Sequence, residues 1–104
     1  MPARVPSTAE IEQLAADIGT EVYIDVSKWH LYLQDAKLHT QLAELLAPLI
    51  LDQKVDENSV TSILQQIPVK VGGGRNELSL ADLLPMQSLL NLMDVLEEYG
   101  RKWS

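Results

Sequence analysis

The chain has 104 residues, 46% of them hydrophobic, and a formal net charge of −7, which suits one domain with a compact core and excludes a disordered segment. The acidity disfavours duplex nucleic acid and anionic membrane surfaces, both of which attract cationic proteins. The absence of cysteine excludes disulfides, thiolate nucleophiles and cysteine metal sites, and it fits a reducing, cytoplasmic setting.

Residues 1–6, with two prolines, read as an extended N-terminal arm, and residues 7–104 as a single helical domain. One arginine with no apolar segment behind it leaves no signal peptide to expect, and no apolar run reaches the ~18 residues of a membrane span. Ser7-Thr8-Ala9-Glu10 has capping-box spacing, and Ile11, Leu14, Ala15 and Ile18 follow at helical spacing up to Gly19, a natural stop. From Thr20 to Gln34 two patterns compete. Val22, Ile24 and Val26 alternate with Tyr23 and Asp25 as in a strand, whereas Ile18, Val22, Val26, Trp29 and Leu33 continue the helical stripe. The longer pattern predicts a helix over 20–34, with Trp29 substantially buried.

Leu38, Leu42, Leu45 and Leu49, widened by Leu46 and Ile50, predict a further helix that kinks or ends at Pro48. Asp56 caps the next helix, between a staple of Val55 and Val60, and Pro68 ends it. Val69–Val71 and Glu77–Leu78 can pair as a minor hairpin around Gly72, Gly73 and Gly74. Ser79 caps a short segment that Pro85 divides from the last helix. That helix carries a core stripe of Met86, Leu89, Leu90, Met93 and Leu96, and i,i+4 pairs Glu97–Arg101 and Glu98–Lys102. The predicted fold is therefore mainly α: a compact bundle of four to five helices with a minor β-hairpin around the Gly72–Gly74 loop.

Candidate chemistry is sparse. The Gly72-Gly73-Gly74 loop, flanked by Lys70 and Arg75, offers backbone amides and two cations to a small anion or phosphometabolite. It lacks the GxxxxGK[ST] and GxGxxG patterns of nucleotide sites, and a connector between strands is its plainer use. His30 and His39, nine apart, do not form a metal pair on one helix face; Asp35 stands where it could pair with His39. Asp25, between Ile24 and Val26, is the nearest thing to a carboxylate in an apolar setting, and no serine sits in a GxSxG elbow. No catalytic residue, metal ligand or cofactor is assigned. Trp29 and Tyr32, in the aromatic stretch Lys28-Trp29-His30-Leu31-Tyr32-Leu33, are the candidates for a partner surface, with core packing as their ordinary use.

Two stretches also carry a family likeness: Glu21-Val22-Tyr23-Ile24-Asp25-Val26-Ser27-Lys28-Trp29-His30-Leu31-Tyr32-Leu33, and Ile67-Pro68-Val69-Lys70-Val71-Gly72-Gly73-Gly74-Arg75 running on to Leu83-Leu84-Pro85. With them the chain, from about Ser7 onward, resembles a family of small, acidic, uncharacterised cyanobacterial proteins with chloroplast relatives. The resemblance implies a photosynthetic organism and a cytosolic or stromal setting, and assigns no catalytic residue. The leading expectation is a non-enzymatic protein-interaction or assembly module with a protein partner, compatible with a homo-oligomer. An anion binder at the glycine loop is the second reading. The third is a winged-helix-like nucleic-acid binder, against which the charge speaks.

Overall fold

A computed structural model describes residues 6–26, 29–71 and 74–103. The predicted 1–6 arm therefore lies almost wholly outside the described residues, as do Gly72 and Gly73. Among the described residues the fold is mainly α, with six helices and two antiparallel hairpins: α1 Thr8–Glu21, β1 Tyr23–Val26, β2 Trp29–Tyr32, α2 Leu33–Ala36, α3 His39–Leu51, α4 Glu57–Gln65, β3 Pro68–Val71, β4 Asn76–Ser79, α5 Leu80–Leu83 and α6 Met86–Trp103. α2 and α5 are single turns, each adding one buried leucine, Leu33 and Leu80, to a core built mainly by the other four helices. α1 packs on α3 and α6, and α3 on α6.

The local signals place the helix starts. Ser7 and Glu10 form the reciprocal capping box, with Glu10 N–H donating to Ser7 Oγ at 3.1 Å and Ser7 N–H to Glu10 Oε1 at 3.0 Å. Asp56 accepts from Ser59 N–H at 2.7 Å, and Ser79 with Asp82 repeats the box ahead of α5. Each satisfies donors that the first turn of a helix leaves open. Pro85 separates α5 from α6 as expected. The pairs Glu97–Arg101 (3.3 Å) and Glu98–Lys102 (3.5 Å) form on the exposed face. Pro48 does not end α3, which runs on to Leu51. Lying within the last turn, it removes a single ladder bond where the helix is about to stop.

The predicted helix over 20–34 is overturned. α1 continues through Gly19 to Glu21, and the chain then turns back as the hairpin β1–β2, in register Tyr23↔Tyr32, Ile24↔Leu31, Asp25↔His30 and Val26↔Trp29. Strand is thus not confined to the glycine loop. The alternating pattern wins because it buries Val22, Ile24 and Leu33 in the core while sending Asp25 and His30 outward. A lone hairpin is marginal in water, and this one persists by resting one face on helices. Gly19 serves close approach rather than termination: a Cβ there would stand 2.9 Å from Cβ of Gln34, in α2. The second hairpin, β3–β4, pairs Pro68↔Ser79, Val69↔Leu78, Lys70↔Glu77 and Val71↔Asn76 around the glycine loop.

The core is aliphatic, built from Leu14, Ile18, Leu42, Leu46, Ile50, Val60, Leu64, Ile67, Leu80, Leu92 and Leu96 around one aromatic, Tyr99. The face of α6 differs from the predicted stripe. Ser88, Leu92, Val95, Leu96 and Tyr99 point inward, whereas Met86 and Leu90 are exposed. Leu89 and Met93 sit between the two faces. The apolar side chains in the first half of α6 span a wide arc, and packing turns the Leu92 and Leu96 edge of that arc inward, taking Ser88 with it and leaving Met86 and Leu90 outside.

Candidate functional site

The two hairpins stand beside each other, and the features that could meet a partner gather there. In β1–β2 the pleat sorts side chains by face. Tyr23, Asp25, His30 and Tyr32 share the outer face. His30 Nδ1 lies 2.5 Å from Asp25 Oδ1, and the Tyr23 ring meets His30 at 4.8 Å and Tyr32 at 5.7 Å, edge to face in both cases. Ile24, Val26, Leu31 and Trp29 share the inner face; Ile24 is buried, and Trp29, at the tip, is 75% exposed. The expected burial of Trp29 is therefore corrected: as the end residue of a four-residue strand it overhangs the core. Tyr32 is 41% exposed.

The base of this hairpin is tied to the body by side chains distant in sequence. Ser88 Oγ donates to the carbonyl oxygen of Tyr23 at 2.6 Å and accepts from its N–H at 2.8 Å. Asn91 donates to the carbonyl oxygen of Glu21 at 3.1 Å, and Leu33 N–H donates to Val22 at 3.0 Å. The aromatic tip is thus held at a defined place by α6.

A groove of about 310 Å³ runs between the hairpins, lined by Ile24, Val26, Leu31, Ala36, Leu38, Pro68, Val69 and Lys70. A second cleft, of about 290 Å³, is polar, with Asp17 and Glu21 of α1 facing Asp94 and Glu98 of α6. Asp17, which lines it, also accepts a hydrogen bond at Oδ2 from the Tyr99 hydroxyl. Burial, then the bond to Asp17 and its charge, push the Tyr99 phenol well above its ordinary value of 10.0. Among the described residues no three His, Cys, Asp or Glu side chains converge to hold a metal ion.

The predicted loop residues are only partly brought together. Lys70 is exposed on β3 and Arg75 exposed beyond the turn, and Gly74 takes a φ of +87°, the left-handed geometry for which glycine is suited. Gly72 and Gly73 lie outside the described residues. His30 and His39 fall on separate elements, and Asp35 does not pair with His39, whose buried Nδ1 has no hydrogen-bond partner among the described residues. Sequence reasoning missed the outer-face cluster of Tyr23, Asp25 and His30, although the alternation over 22–26 was its signal. It also missed Ser88, for which no local signal exists.

No helix among the described residues is long and apolar enough to cross a membrane. No solved structure matches the chain. It is 43% identical over 96 residues to a thylakoid-associated protein of Synechocystis sp., an alignment covering 92% of this chain and 95% of that relative. The model of the family described as Protein of unknown function (DUF3181) matches residues 11–99. A match over that much of the sequence, together with that relative, means that the chain belongs to the DUF3181 family, of which the cyanobacterial relative's sequence is a close counterpart.

Proposed function

We propose that this protein is a non-enzymatic interaction or assembly module of a photosynthetic organism. It works from the cytoplasmic side and docks on a protein partner at the thylakoid surface through the β1–β2 hairpin. The observation that carries the reading is Trp29: an indole 75% exposed at the tip of a short hairpin, on a tether fixed by Ser88, with Tyr23, His30 and Tyr32 clustered on the opposite face of the same hairpin. Solvent exposure of so large an apolar ring is costly in a free monomer, and Trp and Tyr dominate the energetics of protein interfaces. The thylakoid association of the Synechocystis relative, given by its name, supports the location. The net charge of −7 favours a protein partner over the anionic lipid surface itself.

The experiment is co-sedimentation of the purified chain with isolated thylakoid membranes, before and after protease treatment of the membranes. The expected result is binding that protease treatment removes and that Trp29→Ala weakens by about tenfold or more, as for an interface hot spot. Equal binding by Trp29→Ala, or binding that survives protease, would overturn the reading.

A further inference from the structure

The phase of the β3–β4 ladder decides which backbone groups of β3 face outward. Leu80 N–H donates to Ile67 carbonyl oxygen at 2.8 Å, so Ile67 and Leu80 are a bonded pair. Bonded and non-bonded pairs alternate in an antiparallel ladder. Val69↔Leu78 is then bonded, and Lys70↔Glu77 and Pro68↔Ser79 are not. The N–H and C=O of Lys70 and the C=O of Pro68 therefore point away from β4. Three consecutive residues of β3, and none of β4, line the groove between the hairpins. A groove bounded by consecutive strand residues is approached from the strand edge, not from one face. Its other wall is the inner face of β1–β2, with Ile24, Val26 and Leu31.

Charge adds a second constraint. In an acidic protein, Lys70 lines this groove, and Lys37 lies between Ala36 and Leu38, which also line it. Neither lysine is in an ion pair among the described residues. Glu77, opposite Lys70 in the register, forms no ion pair with it and lines a separate cleft with Gln65 and Gln66.

We infer that this groove takes an extended peptide segment of a partner protein, apolar at alternate positions and carrying a carboxylate, which adds as a short third strand to the edge of β3. Its backbone pairs with the outward groups of Lys70 and Pro68. Its alternate side chains rest on Ile24, Val26 and Leu31, and its carboxylate meets Lys70. Pro68, which has no N–H, limits the added strand to a few residues. A lipid chain fits the apolar wall but leaves the strand edge without hydrogen-bond partners, which favours a peptide. Trp29, paired with Val26 of the groove wall, is close enough to report on occupancy. This inference rests on the interaction-module reading and names the chemistry of the partner.

The test pans a phage-displayed library of random dodecapeptides on the immobilised full chain. Selected peptides are then titrated against the full chain in a Trp103→Phe background, following Trp29 fluorescence. Peptides with alternating apolar residues and an Asp or Glu should be enriched, and they should protect the Lys70 amide from hydrogen exchange. Lys70→Pro removes the outward N–H as well as the ammonium, without touching a β3–β4 ladder bond, and should bind about tenfold more weakly than Lys70→Gln, the worth of one strand-edge hydrogen bond. Lys70→Gln keeps that N–H and should reduce the salt dependence of binding. Should Lys70→Pro melt early, Lys70 amide protection in the parent chain decides the matter. No enrichment over an unrelated control protein, unchanged binding by a folded Lys70→Pro, or a Trp29 response to phosphatidylglycerol vesicles but not to peptides overturns the inference. Thylakoid co-sedimentation lost in Trp29→Ala but kept in Lys70→Pro overturns strand addition alone; co-sedimentation kept in both overturns the interaction-module reading as well.

Discussion

The hydroxyl of Ser88 closes a two-way hydrogen bond with the backbone of Tyr23, accepting from its N–H at 2.8 Å and donating to its carbonyl oxygen at 2.6 Å. Tyr23↔Tyr32 is a non-bonded pair of the β1–β2 ladder, because Leu33 N–H already pairs with Val22. Both polar groups of Tyr23 therefore face α6, where a single fully buried side chain satisfies them. One serine does for this strand edge what a third strand does elsewhere, and it sets where the exposed Trp29 is presented.

Ser88→Ala should leave a donor and an acceptor of Tyr23 without partners. The expected cost is about 1–3 kcal/mol in a urea melt, with faster hydrogen exchange at the Tyr23 amide. A loss below ~0.5 kcal/mol, the size of an ordinary surface substitution, would show that water replaces the hydroxyl without penalty.

Two glycines in helices should respond in opposite directions. Gly19→Ala places a methyl 2.9 Å from Gln34 Cβ, and overpacking of that kind costs about 1–3 kcal/mol, outweighing the better helix propensity. At Gly100 in α6 nothing lies within 4 Å of the added methyl. Gly100→Ala should stabilise by about 0.5–1 kcal/mol. Paired thermal melts check both, and equal effects would contradict the close α1–α2 approach.

Trp29→Ala should leave stability nearly unchanged, within about 0.5 kcal/mol, because the ring is mostly in solvent. A buried tryptophan would lose about 3–5 kcal/mol on the same change. A chemical melt distinguishes the two, and a large loss would mean that the indole packs on the protein in solution.

Tyr99 predicts an alkaline limit to stability. Its phenol is raised above the ordinary 10.0 by burial and by Asp17, so the folded state favours the protonated form. This contribution is fully present below the unfolded value of about 10 and is lost as pH rises from there toward the folded value, at up to about 1.4 kcal/mol per pH unit. Tyr99→Phe should cost about 1 kcal/mol near neutrality, through the lost bond to Asp17, and should flatten the alkaline slope. Urea melts from about pH 8 to pH 11 measure it; the same slope in both proteins would assign the titration to another group.

The sequence by itself determined what depends on residues a few positions apart. Ser7, Asp56 and Ser79 start helices because their side chains reach amides three residues on. Pro68 and Pro85 divide elements because a ring and a missing N–H act on the immediate neighbours. Helical stripes such as Leu38, Leu42, Leu45 and Leu49 set a mainly α fold, and the run Gly72-Gly73-Gly74 marked a connector between strands. Trp29 and Tyr32 could be named as candidates, but their exposure could not.

Tertiary structure decided the segment from Thr20 to Gln34. Val22, Val26, Trp29 and Leu33 satisfy a helical period and a hairpin register alike, and Ser27-Lys28 between the strands has no glycine or asparagine to mark a tight turn. The choice falls to contacts distant in the chain: Ser88 and Asn91 take the backbone groups of Tyr23 and Glu21, and Gln34 closes on Gly19. The predicted stripe of α6 missed its buried face for a related reason, since only the packed neighbours choose Ser88 and Leu92 over Met86 and Leu90. The groove between the hairpins exists only once residues 24–38 and 68–70 are brought side by side. Local pattern fixes hydrogen bonds within a turn of chain, whereas a site made by two hairpins is set by which surfaces the core leaves uncovered.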